Sequence, residues 1–221
     1  MKENDEYQWV NYTDEYSSQL KEMKRDDDWD FFISDFEEKN GEIVFKDSLH
    51  ANWKELYHTA FKLKVKSIFE CGFGGCYHLK NLSKILPDAK ISGADLLKTQ
   101  MDFGIKFSNV SDDIQKNMYV MDFSEENLKH DVGQHEFVYS QAVVMHLNTE
   151  RGKQFLKNMG KISSKYILLI EGYHNHENFF DMVKECLPEF EFSVVHKYVA
   201  NCMIQDPDGP SFTCGILMTK K

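Results

Sequence analysis

Arginine is almost missing from this chain: of 26 basic residues two are arginine, Arg25 and Arg151. Proteins that grip nucleic acid use a basic stripe and guanidinium forks aimed at phosphate or guanine. Neither is visible, which argues against a nucleic-acid partner. Proline is equally sparse, four in 221 residues, while 42% of the chain is apolar and 14% aromatic. That composition excludes the disordered and low-complexity classes. No hydrophobic run is long. The most apolar stretch, Tyr166-Ile167-Leu168-Leu169-Ile170, falls far short of the ~20 residues that cross a bilayer as a helix, so no membrane association is expected. Met1-Lys2-Glu3-Asn4-Asp5-Glu6 is acidic and lacks the apolar centre of a signal peptide. Five cysteines (Cys71, Cys76, Cys186, Cys202, Cys214) form an odd set with no Cys-x-x-Cys pair, which fits neither a zinc framework nor a secreted disulfide scaffold. The expectation is a cytoplasmic protein with reduced thiols.

Charge is present but uneven. The net charge is −10, and residues 1–40 carry 13 Asp and Glu against 5 Lys and Arg, so the acidity sits at the start. Asp26-Asp27-Asp28 reads as a solvated helix end or turn, the sharper alternative being a surface that attracts a cationic substrate. A chain of 221 residues can bury a core without disulfide or metal staples, and it suits one domain better than two.

From about residue 65 strands and helices alternate. Val65–Phe69 is a short apolar run ending at a glycine cluster, and Tyr77–Leu86 carries Leu79, Leu82, Ile85 and Leu86 at helical spacing before Pro87. Lys90–Leu96 reads as strand, Lys98–Lys116 as helix, and Met118–Phe123 as strand, with Ser124 opening a short helix. Phe137-Val138-Tyr139 begins the next strand, and Thr149 caps a helix to about Ile162. Tyr166–Ile170 is a strand, and His176–Leu187 a helix. The end breaks the rhythm. Glu191–Ala200 and Ser211–Thr219 read as strands joined by the turn-rich Gln205-Asp206-Pro207-Asp208-Gly209-Pro210, an antiparallel pair. Alternation of this kind gives an α/β, doubly wound, mostly parallel sheet whose ligands bind at the carboxyl ends of the strands. Residues 1–60 lack it. They are expected to form a helical N-terminal cap or lid, with Ser48–Leu63 as a helix, on a Rossmann-like core of residues 61–221 in one domain.

Glu70-Cys71-Gly72-Phe73-Gly74-Gly75-Cys76 joins the first strand to the first helix of the core. It lacks the third glycine of a dinucleotide fingerprint, since Tyr77 occupies that position, and it lacks the Gly-Lys-Ser/Thr ending of a P-loop. In placement it resembles the first motif of the class I S-adenosylmethionine-dependent methyltransferases, an acid followed by Gly-x-Gly-x-Gly. Glu70, Gly72 and Gly74 match, Cys76 stands where the third glycine is usual, and Gly75 is extra. The resemblance covers roughly residues 50–221, including the terminal antiparallel pair, and implies a seven-stranded sheet. It implies S-adenosylmethionine as cofactor, with S-adenosylhomocysteine as product. Glu70, Gly72 and Gly74 would hold its methionine part, Asp95 and Leu96 its ribose, and Asp122 and Phe123 its adenine. Ser140 and Gln141 stand at the fourth motif. A lone carboxylate at a strand end can accept both hydroxyls of a ribose diol.

Methyl transfer needs alignment first, and a general base if the acceptor is a hydroxyl. His146, Glu171 and His174 follow the fourth and fifth strands and are the candidate catalytic residues, with His176 beside them. His174-x-His176 with Glu171 could alternatively hold a divalent metal, although no metal is expected. The Asn/Asp-Pro-Pro-Tyr/Phe signature of adenine N-methyltransferases is absent, Tyr139-Ser140-Gln141-Ala142 taking its place. The reading is methylation of a small-molecule substrate, O-methylation of a hydroxylated metabolite or sugar being slightly favoured. The alternatives are N-methylation of a small molecule or protein, a non-catalytic cofactor-binding protein, and a nicotinamide enzyme. Sequence leaves the oligomeric state open.

Overall fold

The computed structural model describes residues 33, 36–45, 49, 51–173, 176, 178–200 and 211–221, with backbone alone at 197–200 and 211–213. His174 and the acidic Asp26-Asp27-Asp28 run lie outside the described residues.

The segment expected to be a helical cap contains a β-hairpin, β1 (Phe36–Lys39) and β2 (Glu42–Phe45), paired antiparallel. Its two-residue loop, Asn40-Gly41, has φ of 55° and 79°. Positive φ at both central residues belongs to the primed turn that matches strand twist, and Asn-Gly is its strongest sequence signal. Helix α1 (Ala51–Leu63) follows and buries Trp53, Leu56, Tyr57 and Ala60.

The core then alternates: β3 (Ser67–Cys71), α2 (Tyr77–Ile85), β4 (Lys90–Asp95), α3 (Lys98–Ser108), α4 (Asp112–Gln115), β5 (Met118–Val120), β6 (His135–Gln141), α5 (Thr149–Ile162), β7 (Ser163–Gly172), α6 (Phe179–Cys186), β8 (Phe190–Ala200) and β9 (Ser211–Lys220). The seven strands lie in the order β5-β4-β3-β6-β7-β9-β8. β3 through β7 pair in parallel, and β9 pairs antiparallel with both β7 and β8.

Two differences from the sequence expectations have local causes. The stretch Lys98–Lys116 is two helices, because Asn109 at the end of α3 adopts a left-handed φ of 50° and interrupts the ladder. No helix opens at Ser124. Its backbone N–H and its hydroxyl both turn back onto Asp122 Oδ1, at 2.8 and 2.6 Å, and close a turn instead.

Period-two alternation sorts each central strand between two cores. Ile68, Phe137, Tyr139, Leu168 and Ile170 face the layer containing Leu56, Tyr57, Leu79 and Leu82. Phe69, Val138, Ile167 and Leu169 face the opposite layer, with Phe155, Leu156, Met159 and Val183. Helices therefore cover both faces of the sheet. The chain winds outward from β3 in two directions, toward β4 and toward β6, leaving a crevice above their carboxyl ends.

Candidate functional site

The loop after β3 forms the crevice floor. Gly72 has a φ of 87°, and a side chain there would meet Val143 Cγ2 at 2.4 Å, so the glycine lets the loop after β6 close over this turn. Helix α3 presses from the other side. A Cβ on Gly104 would stand 2.4 Å from Cys76 Sγ and 2.8 Å from the Gly74 carbonyl, and the Ser108 hydroxyl donates to the Gly75 carbonyl. Cys76, where the family motif has its third glycine, takes a left-handed φ of 60° as the residue capping α2. A left-handed backbone is one that favours glycine, and here a cysteine adopts it.

A cleft opens over this loop. Among the described residues its walls include Glu70 near the end of β3 and Gly72, Phe73 and Gly74 of the loop; Ala94, Asp95 and Leu96 at the end of β4; Met121, Asp122 and Phe123 after β5; Gln141 to Val143 at the end of β6; and Tyr77, His78, Gln100, Leu147, Arg151 and Phe155 from flanking helices and turns. The structure thus brings together Glu70, Gly72, Gly74, Asp95, Leu96, Asp122, Phe123 and Gln141 of the expected residues. Ser140 is adjacent but fully buried beneath the wall, donating to Glu171 Oε1 at 2.8 Å.

Each acid in the cleft has a different setting. Asp95 accepts the Gly74 N–H at 2.9 Å and the Leu97 N–H at 3.2 Å, one on each oxygen. A carboxylate offers about four lone-pair sites, so roughly two remain for a ligand. Burial raises its pKa, and the backbone N–H groups oppose the rise. Asp122 is more fully engaged. Its Oδ1 takes the two Ser124 donors, and its Oδ2 takes the Arg151 guanidinium at 2.5 Å. Arg151 also donates from Nε to the Ser124 hydroxyl at 2.8 Å. Phe123 packs edge-on against Phe155, with ring centroids 5.6 Å apart. Glu70 is 1% exposed, and its Oε2 lacks a hydrogen-bond partner. Burial raises its pKa well above the usual carboxylate range, the Tyr139 hydroxyl offsetting part of the rise.

Of the candidate catalytic residues that are described, Glu171 and His146 are not part of the cleft wall. Glu171, expected at the rim, is fully buried at the end of β7. Its oxygens accept Ser140 Oγ, the Val143 N–H at 3.0 Å and the Met145 N–H at 3.2 Å. It is an internal clamp on the loop after β6, turned inward because β7 faces alternate and that loop crosses above it. Its pKa is pushed up to about 7 by burial, the N–H donors pulling the other way. His146 lies in the 3₁₀ turn Val144–His146, half-buried, with a pKa lowered by burial. It adjoins Leu147 of the cleft wall but is not part of that wall. His176 is buried, and its Nε2 bonds the Val144 carbonyl at 2.8 Å, so it too secures the loop. Sequence reasoning missed Arg151, His78 and Tyr77. The scarcity of arginine was the available signal for Arg151, one of two in the chain.

No family model and no curated protein matches the sequence. Solved structures do. A Pyrococcus horikoshii protein provisionally described as an RNA methyltransferase aligns with TM-score 0.60 and 14% identity over 76% of this chain and 82% of that one. TehB from Haemophilus influenzae gives 0.59 and 18% over 80% of this chain and 64% of its own. Magnesium protoporphyrin IX methyltransferase from Synechocystis, with S-adenosylmethionine bound, gives 0.55 and 11% over 80% and 87%. This chain has the class I methyltransferase fold. Identities this low carry the fold alone, and the names of these neighbours point to different acceptors.

Proposed function

We propose that this protein is an S-adenosylmethionine-dependent methyltransferase acting on a small-molecule acceptor, with a hydroxyl oxygen slightly favoured over nitrogen. The observation that carries the reading is the cleft itself. An acid with about two free lone-pair sites, Asp95, shares the cleft with a buried acid whose Oε2 lacks a hydrogen-bond partner, Glu70, over a glycine turn that leaves room for a ligand. Unsatisfied buried polar atoms are rare in folded proteins, and a polar ligand accounts for them.

When bound, the sulfonium supplies an electrophilic methyl group whose bond to sulfur breaks as the bond to the acceptor forms. Asp95 would hold the ribose hydroxyls, with Leu96 beside it. Phe123 would flank the adenine, on a turn that Asp122, Ser124 and Arg151 keep in shape. Glu70 would take the ammonium, and Gln141 the wall nearby. Gly72 and Gly74 bring backbone close to the ligand. An oxygen acceptor must lose its proton, and His146 is the candidate base, since burial holds it neutral. Glu171 would act as a positioning group through the loop it clamps, and His174 remains a candidate at the exit of β7.

A nitrogen acceptor is the second reading. It needs no base, and among the described residues the cleft wall presents one imidazole, His78, whose pKa burial lowers to about 3.

Isothermal titration of native protein and Asp95→Ala with S-adenosylmethionine and S-adenosylhomocysteine tests the proposal. Micromolar binding that Asp95→Ala removes supports it. A folded native chain that ignores both ligands and binds a nicotinamide cofactor refutes it.

A further inference from the structure

A chain of buried hydrogen bonds ends in the cleft with one open valence. The Ile33 N–H donates to Asn81 Oδ1 at 3.2 Å, which fixes the amide's orientation. Asn81 Nδ2 donates to the Tyr57 hydroxyl at 2.7 Å. That hydroxyl lies 2.8 Å from His78 Nδ1. An amide N–H only donates, so the Tyr57 oxygen accepts from Asn81 and its own proton points at Nδ1. Nδ1 is then the acceptor, and the ring proton resides on Nε2. With the pKa near 3, no second ring proton is present around neutrality.

His78 is 3% exposed, lines the cleft, and its Nε2 meets no acceptor. The Gln141 side chain approaches it, but its Oε1 is likewise without a completed bond. A buried donor left open is costly. Three network residues orient a donor into the cleft, where Gln141 stands near it without completing the bond. Its place narrows what arrives there. His78, Gln141 and Glu70 belong to the half above β3 and β6, whereas Asp95 and Asp122 follow β4 and β5. Arg151, the one cation in the described wall, is committed to Asp122.

We propose that the Nε2–H of His78 receives the carboxylate of the cofactor's amino-acid end, with Tyr57 and Asn81 as the positioning residues that aim it. This rests on the methyl-donor reading above. Glu70 takes the ammonium of the same zwitterion, so the half-cleft pairs both charges, and a ligand without the amino-acid end leaves both groups open.

The test is calorimetric titration of native protein, His78→Asn, His78→Gln and Tyr57→Phe with S-adenosylhomocysteine and with 5′-methylthioadenosine, which lacks the amino-acid end. A hydrogen bond to a charged group predicts that His78→Asn weakens S-adenosylhomocysteine about 10- to 100-fold and leaves 5′-methylthioadenosine within about twofold. His78→Gln, whose amide nitrogen can stand near the Nε2 position, should restore most of the loss. Tyr57→Phe frees the tautomer and should cost about threefold to tenfold, again for S-adenosylhomocysteine alone. Equal losses for both ligands, or full affinity in a folded His78→Asn, overturn the assignment. If His78→Asn does not fold, Tyr57→Phe and His78→Gln decide by the same contrast. A native protein that binds neither ligand overturns the methyl-donor reading itself.

Discussion

The two halves of the cleft contrast in how far their polar groups are satisfied. Above β4 and β5 every carboxylate already has protein donors: Asp95 holds two backbone N–H groups, and Asp122 holds Ser124 and Arg151. Above β3 and β6, Glu70 Oε2, His78 Nε2 and Gln141 Oε1 are buried without a completed hydrogen bond. The first half is preorganised, in that its acids shape the loops that a ligand will touch. The second is poised, storing desolvation that a zwitterionic group would relieve. Variants in the first half should therefore affect both folding and binding. Variants in the second should affect binding more than folding, and removing an unsatisfied acid there should even stabilise the free protein.

The seam between the halves is where the largest effect is expected. Gly72→Ala adds a methyl group 2.4 Å from Val143 at a φ of 87°. Left-handed strain of about 1–2 kcal/mol and overpacking of about 1–3 kcal/mol act together. A loss of about 3 kcal/mol in chemical denaturation is expected, with cofactor affinity falling as the loops separate. A variant of unchanged stability would mean that the β6 loop is free to retreat and does not join the halves.

Next is Glu70→Gln, which probes the poised half. Folding buries this acid and raises its pKa, so the folded state holds a proton that the unfolded state releases. Its contribution is thus most favourable in acid and declines as pH rises above the ordinary carboxylate pKa. Glu70→Gln should match or exceed native stability at pH 8 and lose that advantage near pH 4, while weakening S-adenosylhomocysteine by about tenfold or more. Thermal melts at both pH values and a titration check it. A destabilised variant at pH 8 would place Glu70 with the satisfied acids.

Glu171 gives a sharper pH window. Its pKa is about 7 in the folded protein against 4.5 ordinarily, so folding takes up a proton between those values, and stability declines from about pH 4.5 to about pH 7. Glu171→Gln cannot titrate. The native-minus-variant stability difference should decline across that window and stay flat above it, whatever Glu70 and Asp95 add to both proteins. A flat difference throughout would show that Glu171 is charged at all these pH values.

The preorganised half was the more legible in the sequence. Asp95 ends and Asp122 follows a run that reads as a strand, the resemblance singles out both positions, and position relative to a strand end is what a sequence displays well. The mostly parallel sheet and its antiparallel ending followed from the same rhythm. The poised half depends on contacts between distant segments. His78 matters because Tyr57, 21 residues earlier, and Asn81 set its tautomer, and no local pattern encodes that. Glu171 misled for a related reason. A carboxylate just past an apolar strand looks like a rim residue, but the direction of its side chain is set by the loop above it, 28 residues upstream. The hairpin at Asn40-Gly41 was different, because its turn signal is present in the sequence and the expectation of a helical cap passed over it.

The smallest expected effect separates shape from recognition in the preorganised half. Arg151→Ala removes the guanidinium from Asp122 and Ser124, where the two charged side chains are 35% and 22% exposed. Ion pairs this open to water are worth about 0–1 kcal/mol, and screening lowers that further. Stability should therefore fall by less than about 1 kcal/mol, and less again in high salt. Asp122 keeps both Ser124 donors, so the turn that carries Phe123 should persist and 5′-methylthioadenosine should bind within about threefold of native, about 0.7 kcal/mol. If instead that affinity falls tenfold while stability holds, Arg151 touches the ligand directly, and the division between a satisfied half and an unsatisfied half fails at the Asp122 end.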